Sequence, residues 1–141
     1  MQSHTAADLI VRGARTVAGD TVDLAVRAGR ISRISAAPDT GETGAPALDA
    51  TGHILFPALV EPHVHLDKTL WGEPWRANTA GPDLAGTIAN ERTVLAGLDV
   101  PIGKRAGALL KAMIANGSLH VRSHIDVAPD VGLRHVEAML A

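Results

Sequence analysis

The chain has no cysteine and no tyrosine among its 141 residues, and only one phenylalanine and two tryptophans. Without cysteine there is no disulfide scaffold, no thiolate metal site and no thiol nucleophile. With so few aromatics the core must be aliphatic and alanine-rich. A hydrophobic content of 46% is enough to build one and too high for a disordered chain. Nor does one sign of charge dominate, since 13 Lys and Arg against 15 Asp and Glu leave a net charge of −2. That balance offers no basic footprint for nucleic acid and no acidic tail. No run approaches the roughly 18 to 20 apolar residues of a membrane span. The opening Met1-Gln2-Ser3-His4 has no basic segment leading into an apolar one. The expectation is a cytoplasmic protein with neither a nucleic-acid nor a membrane partner. Histidine, by contrast, is plentiful, with seven in the chain.

From Ala7 to about Thr51 the pattern is that of short β-strands. Leu9-Ile10-Val11 precedes Gly13 and Ala14. Val22, Leu24 and Val26 then alternate with Thr21, Asp23 and Ala25, and the turn Arg27-Ala28-Gly29-Arg30 leads into a strand holding Ile31 and Ile34. This predicts a small antiparallel sheet. A Gly-, Pro- and Thr-rich loop over 37–46 follows, then two shorter strands at Ala47–Asp49 and His53–Phe56 around Thr51-Gly52. Nothing in this first module, residues 1–55, looks catalytic.

The pattern changes at Phe56-Pro57. Through Ala58-Leu59-Val60-Glu61-Pro62-His63-Val64-His65-Leu66-Asp67 the polar residues have apolar neighbours on both sides, as in a strand covered on both faces within a parallel sheet or barrel. His63 and His65 are two apart, so a strand turns both imidazoles to one side. Two imidazoles on one side can share a metal ion through nitrogen, and an ion satisfies two polar rings that burial would otherwise leave without partners. The loop beyond them carries Asp67, Lys68, Trp71, Gly72 and Trp75. Its tryptophans either pack over a flat ring in the mouth of a pocket or anchor the loop to the body of the protein.

Residues Thr87 to Leu98 read as a helix. Asp99 is placed to cap a second one, in which Ile102, Ala106, Leu109, Leu110 and Met113 form an apolar stripe. Lys104, Arg105 and Lys111 are read as its solvated face, and Asn116-Gly117 as its end. A second buried strand is expected over Leu119–Val127, with His120, Arg122, His124 and Asp126 on one face, which is a pocket wall rather than a packed core. After the turn Ala128-Pro129-Asp130, a last helix begins near Val131. Strand, loop, helices, strand, helix is the opening of a parallel α/β fold and supplies too few strands to close one. The expectation is an N-terminal fragment of a protein roughly three times longer.

The run from Phe56 to Asp67, with Ile114-Ala115-Asn116-Gly117 and His120-Val121-Arg122-Ser123-His124-Ile125-Asp126-Val127, resembles the amidohydrolase superfamily, the cytosine deaminases above all. The resemblance spans essentially the whole chain and implies an α/β fold. That fold is a (β/α)8 TIM-barrel metal-dependent hydrolase with a small β-sandwich domain built from both ends of the full chain. Residues 1–55 would then belong to the sandwich and 56–141 to the first two β/α units. The resemblance also implies that His63 and His65 are the first two ligands of a divalent metal, Zn or Fe. By the same resemblance the other ligands and the acid–base groups would lie beyond Ala141, which leaves no catalytic residue assignable within the chain. Asp67, Trp71, Trp75, His124 and Asp126 are substrate-pocket candidates. A rival arrangement completes a four-ligand site from His63, His65, His124 and Asp126 alone. The implied chemistry is hydrolytic deamination of cytosine or a related pyrimidine, releasing ammonia. Where cytosine deaminases carry two threonines this chain has Lys68-Thr69, and His-Leu-Asp-Lys is similar to relatives that release an alkylamine from a hydroxylated triazine. The implied partner is a small cyclic nitrogenous substrate, with a homo-oligomer open for the full-length protein and an inert truncated fragment as the remaining alternative.

Overall fold

The computed structural model describes residues 7–39 and 44–141. Met1-Gln2-Ser3-His4 and the 40–43 stretch of the expected 37–46 loop lie outside the described residues. The chain divides into two compact units, 1–57 and 58–141.

In the first unit β1 (Leu9–Thr16), β2 (Thr21–Arg27) and β3 (Arg30–Ala36) form an antiparallel meander. These three strands pair antiparallel as expected, and the short strands β4 (Ala47–Asp49) and β5 (Ile54–Leu55) add to the sheet in parallel along the other edge of β1, which makes it mixed. Sequence alternation places strands but does not carry pairing direction, which a loop as long as 37–46 leaves free. β1 is bulged between Val11 and Ala14. The bulge reverses the alternation, so that Val11 packs with Ala14 against Val22, Leu24 and Ala50 while Ile10 joins Ala7 and Ala25 in a second cluster. Gly13 sits in the bulge at φ +68°, and a Cβ there would meet Thr51 Oγ1 at 2.8 Å.

Asp23 is 3% exposed and organises this unit. It accepts from the Gly13 N–H at 2.8 Å, the Asp39 N–H at 2.8 Å and Arg12 Nη1 at 2.9 Å. Burial alone would raise its pKa. The two backbone donors and the Arg12 guanidinium outweigh that and hold it below the ordinary value.

In the second unit β6 (Leu59–Val64) pairs in parallel with β7 (Ser118–Ser123), and two helices, α1 (Leu84–Ala96) and α2 (Ile102–Ala115), lie between them in sequence. α2 packs on β7, and α3 (Arg134–Leu140) packs on α2. This is a mixed α/β fold with a partial, barrel-like sheet, and the described residues form no closed barrel. β6 is therefore not covered on both faces as expected, and Leu59 and Val60 are 46% and 64% exposed.

The helix ends move for local reasons. α1 starts at Leu84 rather than Thr87 because Asp83 caps it, accepting from the Gly86 N–H at 2.8 Å. α2 is preceded by Pro101 and takes no side-chain cap, so the expected cap at Asp99 is not made. It ends at Asn116, and Gly117 turns the chain at φ +91°. α3 begins only at Arg134, because the Val131 and Gly132 amides turn back to the Ala128 carbonyl. Arg105 corrects the reading of the cationic face of α2. It is 4% exposed, and its guanidinium donates from Nε to the Thr69 carbonyl at 2.9 Å and from Nη1 to the Val100 carbonyl. Among the described residues no helix is long and apolar enough to cross a membrane.

Candidate metal centre

In parallel sheets side chains at the C-terminal ends of neighbouring strands converge, and β6 and β7 bring three histidines together in this way. His63 lies within β6, while His65 and His124 each follow a strand end. The expected strand over Leu119–Val127 stops at Ser123, and beyond it the Asp126 N–H donates to the Asp67 side chain rather than to β6. The His124 N–H donates to the Val64 carbonyl at 2.8 Å, and the Leu66 N–H reaches Ser123 Oγ at 3.3 Å.

The ring centres of His63 and His65 are 5.7 Å apart, and those of His65 and His124 are 5.8 Å apart. Two imidazoles bound through nitrogen to one tetrahedral ion hold their ring centres roughly 5 to 6 Å apart. His63 and His124 instead stack at 4.1 Å and 30°, closer than two ligands of one tetrahedral ion. Loss of hydration, and then the neighbouring His63, Arg122 and His65, push the His124 pKa below its ordinary value.

Behind His65 lies Asp67, wholly buried at 0% exposure, so it backs the site rather than lining an open pocket. Its Oδ2 accepts from the Asp126 N–H at 3.0 Å and from His135 Nδ1 at 2.8 Å. Burial works to raise the Asp67 pKa, but the Asp126 N–H and His135 hold it below the ordinary value, with a smaller contribution from His65. Ligand atoms of His65, Asp67 and Asp126 lie within 4.8 Å of one another, a second grouping with a donor set suited to a divalent cation. His65 Nδ1 and Asp67 Oδ1 are both buried without a hydrogen-bond partner, which fits a site that still has an interaction to make.

Lys68 reaches Glu91 Oε1 on α1 and Asp126 Oδ2, each at 3.0 Å. Partial burial works against its charge, but the two carboxylates prevail and raise its pKa. A cavity of about 750 Å³ opens beside this network, with Lys68, Glu91, Asp126 and His135 in its wall. Trp71 and Trp75 are 55% and 87% exposed and do not line this cavity. Neither tryptophan anchors its loop by burial. Sequence reasoning passed over His135, whose burial follows only from the packing of α3, and gave Lys68 no partners. A histidine beside the apolar Val136 was the one local signal for the former.

No family model matches the sequence. An uncharacterised Escherichia coli K12 protein, YahJ, is 33% identical over 98 residues, 68% of this chain. The crystal structure of N-isopropylammelide isopropylaminohydrolase from Burkholderia multivorans superposes over 96% of this chain with a TM-score of 0.83 and 38% identity. The chain belongs to the amidohydrolase superfamily. The crystal structure of 5-methylcytosine deaminase from Klebsiella pneumoniae, liganded with 5-fluorocytosine, matches 93% of the chain with a TM-score of 0.70 and 30% identity. The chain spans 21% of the length of YahJ and 33% and 32% of the two solved superfamily structures.

Proposed function

We propose that this chain forms the first part of a cytoplasmic, divalent-metal hydrolase that releases an alkylamine from a hydroxylated triazine. Residues 1–55 would contribute to a small β-sandwich domain and 56–141 the first two β/α units of a (β/α)8 barrel. The observation that carries the metal reading is the pair His63 and His65, with ring centres 5.7 Å apart at the end of β6. The substrate class is supported by the greater likeness to the N-isopropylammelide enzyme than to 5-methylcytosine deaminase, in both identity and superposition.

His63 and His65 would hold Zn or Fe. An ion bound there would supply Lewis-acid activation of water at neutral pH. Hydrolysis would join a water oxygen to the ring carbon and break the carbon's bond to the exocyclic nitrogen, which takes one proton of that water and leaves as the amine. Within this chain Asp67 holds the backbone at Asp126 and the ring of His135, and Lys68 holds the Asp126 carboxylate. Pyrimidine deamination is the second reading of the substrate, favoured by the Glu-Pro-His-Val-His-Leu-Asp run. A second reading of the ion's position is favoured by the converging ligand atoms of His65, Asp67 and Asp126.

The test offers the full-length protein, loaded with Zn²⁺ or Fe²⁺, both N-isopropylammelide and cytosine. Isopropylamine release that falls about 100-fold or more with His63→Ala is the expected result. Ammonia release from cytosine alone would favour the pyrimidine reading. No turnover of either compound by a metal-loaded protein would refute both.

A further inference from the structure

We infer that Asp67 is a positioning residue that sets the tautomer of His65, leaving the Nε2 lone pair of that ring free for the ion. The inference rests on the proposed role of His65 as a ligand. The geometry that carries it is specific to this corner of the unit. Asp67 Oδ1 is 3.4 Å from His65 Nδ1, and each atom is buried with no hydrogen-bond partner. The other carboxylate oxygen, Oδ2, is already taken by two donors, the Asp126 N–H and His135 Nδ1. Oδ1 is therefore the acceptor that remains, and His65 Nδ1 is the donor in front of it.

A carboxylate only accepts, so the favourable state of His65 carries its proton on Nδ1. A carboxylate behind a metal-binding imidazole fixes both the orientation of the ring and the nitrogen presented to the metal. Asp126 Oδ1 also approaches His65 Nδ1, at 3.6 Å, but that carboxylate is 43% exposed and is held by Lys68. Asp67 has no such freedom, because the end of β7 and α3 grip it from the other side.

The grip makes Asp67→Asn an informative change. The backbone N–H of Asp126 cannot become an acceptor, so the Asn side chain must present its oxygen there. Its NH₂ then faces His65 Nδ1. A donor in that place favours the opposite tautomer, with the proton on Nε2 and no lone pair left for the ion.

The experiment records ¹⁵N chemical shifts of the His65 ring in metal-free, full-length protein at pH 8, and measures Zn²⁺ affinity by chelator competition. It compares the unaltered protein with Asp67→Asn and His135→Ala. The expected result is an Nδ1–H tautomer in the unaltered protein and an Nε2–H tautomer in Asp67→Asn, with Zn²⁺ affinity lowered about 10- to 100-fold. His135→Ala, which removes the clamp and leaves the carboxylate, keeps the Nδ1–H tautomer. An Nε2–H tautomer in the unaltered protein overturns the inference without recourse to any variant. So does a folded Asp67→Asn with unchanged tautomer and affinity, or a His135→Ala that switches the tautomer as Asp67→Asn does, which would make Asp67 a structural clamp. Complete loss of Zn²⁺ binding in Asp67→Asn would make Asp67 a ligand and overturn it too. If Zn²⁺ binds but leaves the His65 resonances unmoved, the proposed ligand role of His65 fails, while the tautomer comparison still judges Asp67.

Discussion

Replacing Asp23 by Asn tests the frame of the first unit, because it changes little volume and one charge. In the native chain three donors, the Gly13 N–H, the Asp39 N–H and Arg12 Nη1, converge on the two carboxylate oxygens. An amide offers one acceptor oxygen and turns an NH₂ toward whichever donors face its other end. At least one native donor is then left pointing at another donor in a place that is 3% exposed to water. A hydrogen bond to a charged acceptor contributes about 1.5 to 3 kcal/mol, and breaking a buried ion pair costs about 3 to 5 kcal/mol. With Arg12 itself 35% exposed and able to regain water, a loss of about 3 kcal/mol at pH 7 is expected. The acid limb should change as well. The folded-state pKa of Asp23 is lowered, so its stabilisation is complete above the unfolded value of about 3.9 and is lost as pH falls through the folded value. The variant should therefore lose less stability than the native chain between about pH 4 and pH 2. The assay is urea unfolding followed by far-UV circular dichroism at several pH values. Tryptophan fluorescence serves as an internal control, since both tryptophans, Trp71 and Trp75, belong to the second unit. A loss below about 1 kcal/mol at pH 7, or an unaltered acid limb, would contradict this role for Asp23.

Two further outcomes follow from the same geometry. Gly13→Ala should lose about 1 to 2 kcal/mol, from a φ of +68° and a 2.8 Å approach to Thr51 Oγ1. Adding Thr51→Ala in urea unfolding should restore only the part due to the clash. Lys68→Met should loosen α1, measured by faster amide exchange in 84–96, at a cost of about 1 kcal/mol because both ion pairs are partly exposed. Since its partners raise the Lys68 pKa, that contribution is present at pH 7 and is lost only as pH rises through the folded value.

What the sequence made legible is what depends on local pattern. The alternation around Val22 and Leu24, the turn at Asn116-Gly117, and the His63/His65 spacing all lie where expected. The misplaced features depend on partners distant in the chain. Beyond β7 the Asp126 amide turns to the Asp67 side chain, tens of residues away, and no period in 118–127 encodes that. Arg105 falls three residues after Ile102, on the buried stripe of α2, and is tolerated there because carbonyls of Thr69 and Val100 receive its guanidinium. Asp67 looked like a pocket residue from its place after the histidines. Its burial follows from α3 folding back to bring His135 against it. The exposed β6 follows from the small number of strands available to cover it.

Whether His63 and His65 hold one divalent ion is measured most directly in a crystal structure of the metal-loaded, full-length protein, with the metal located from its anomalous signal. The expected result is one ion with a ring nitrogen of both histidines at about 2.0 to 2.1 Å. An ion seated on Asp67 and Asp126 with His63 turned away, or rings that stay apart with no ion between them, would contradict it.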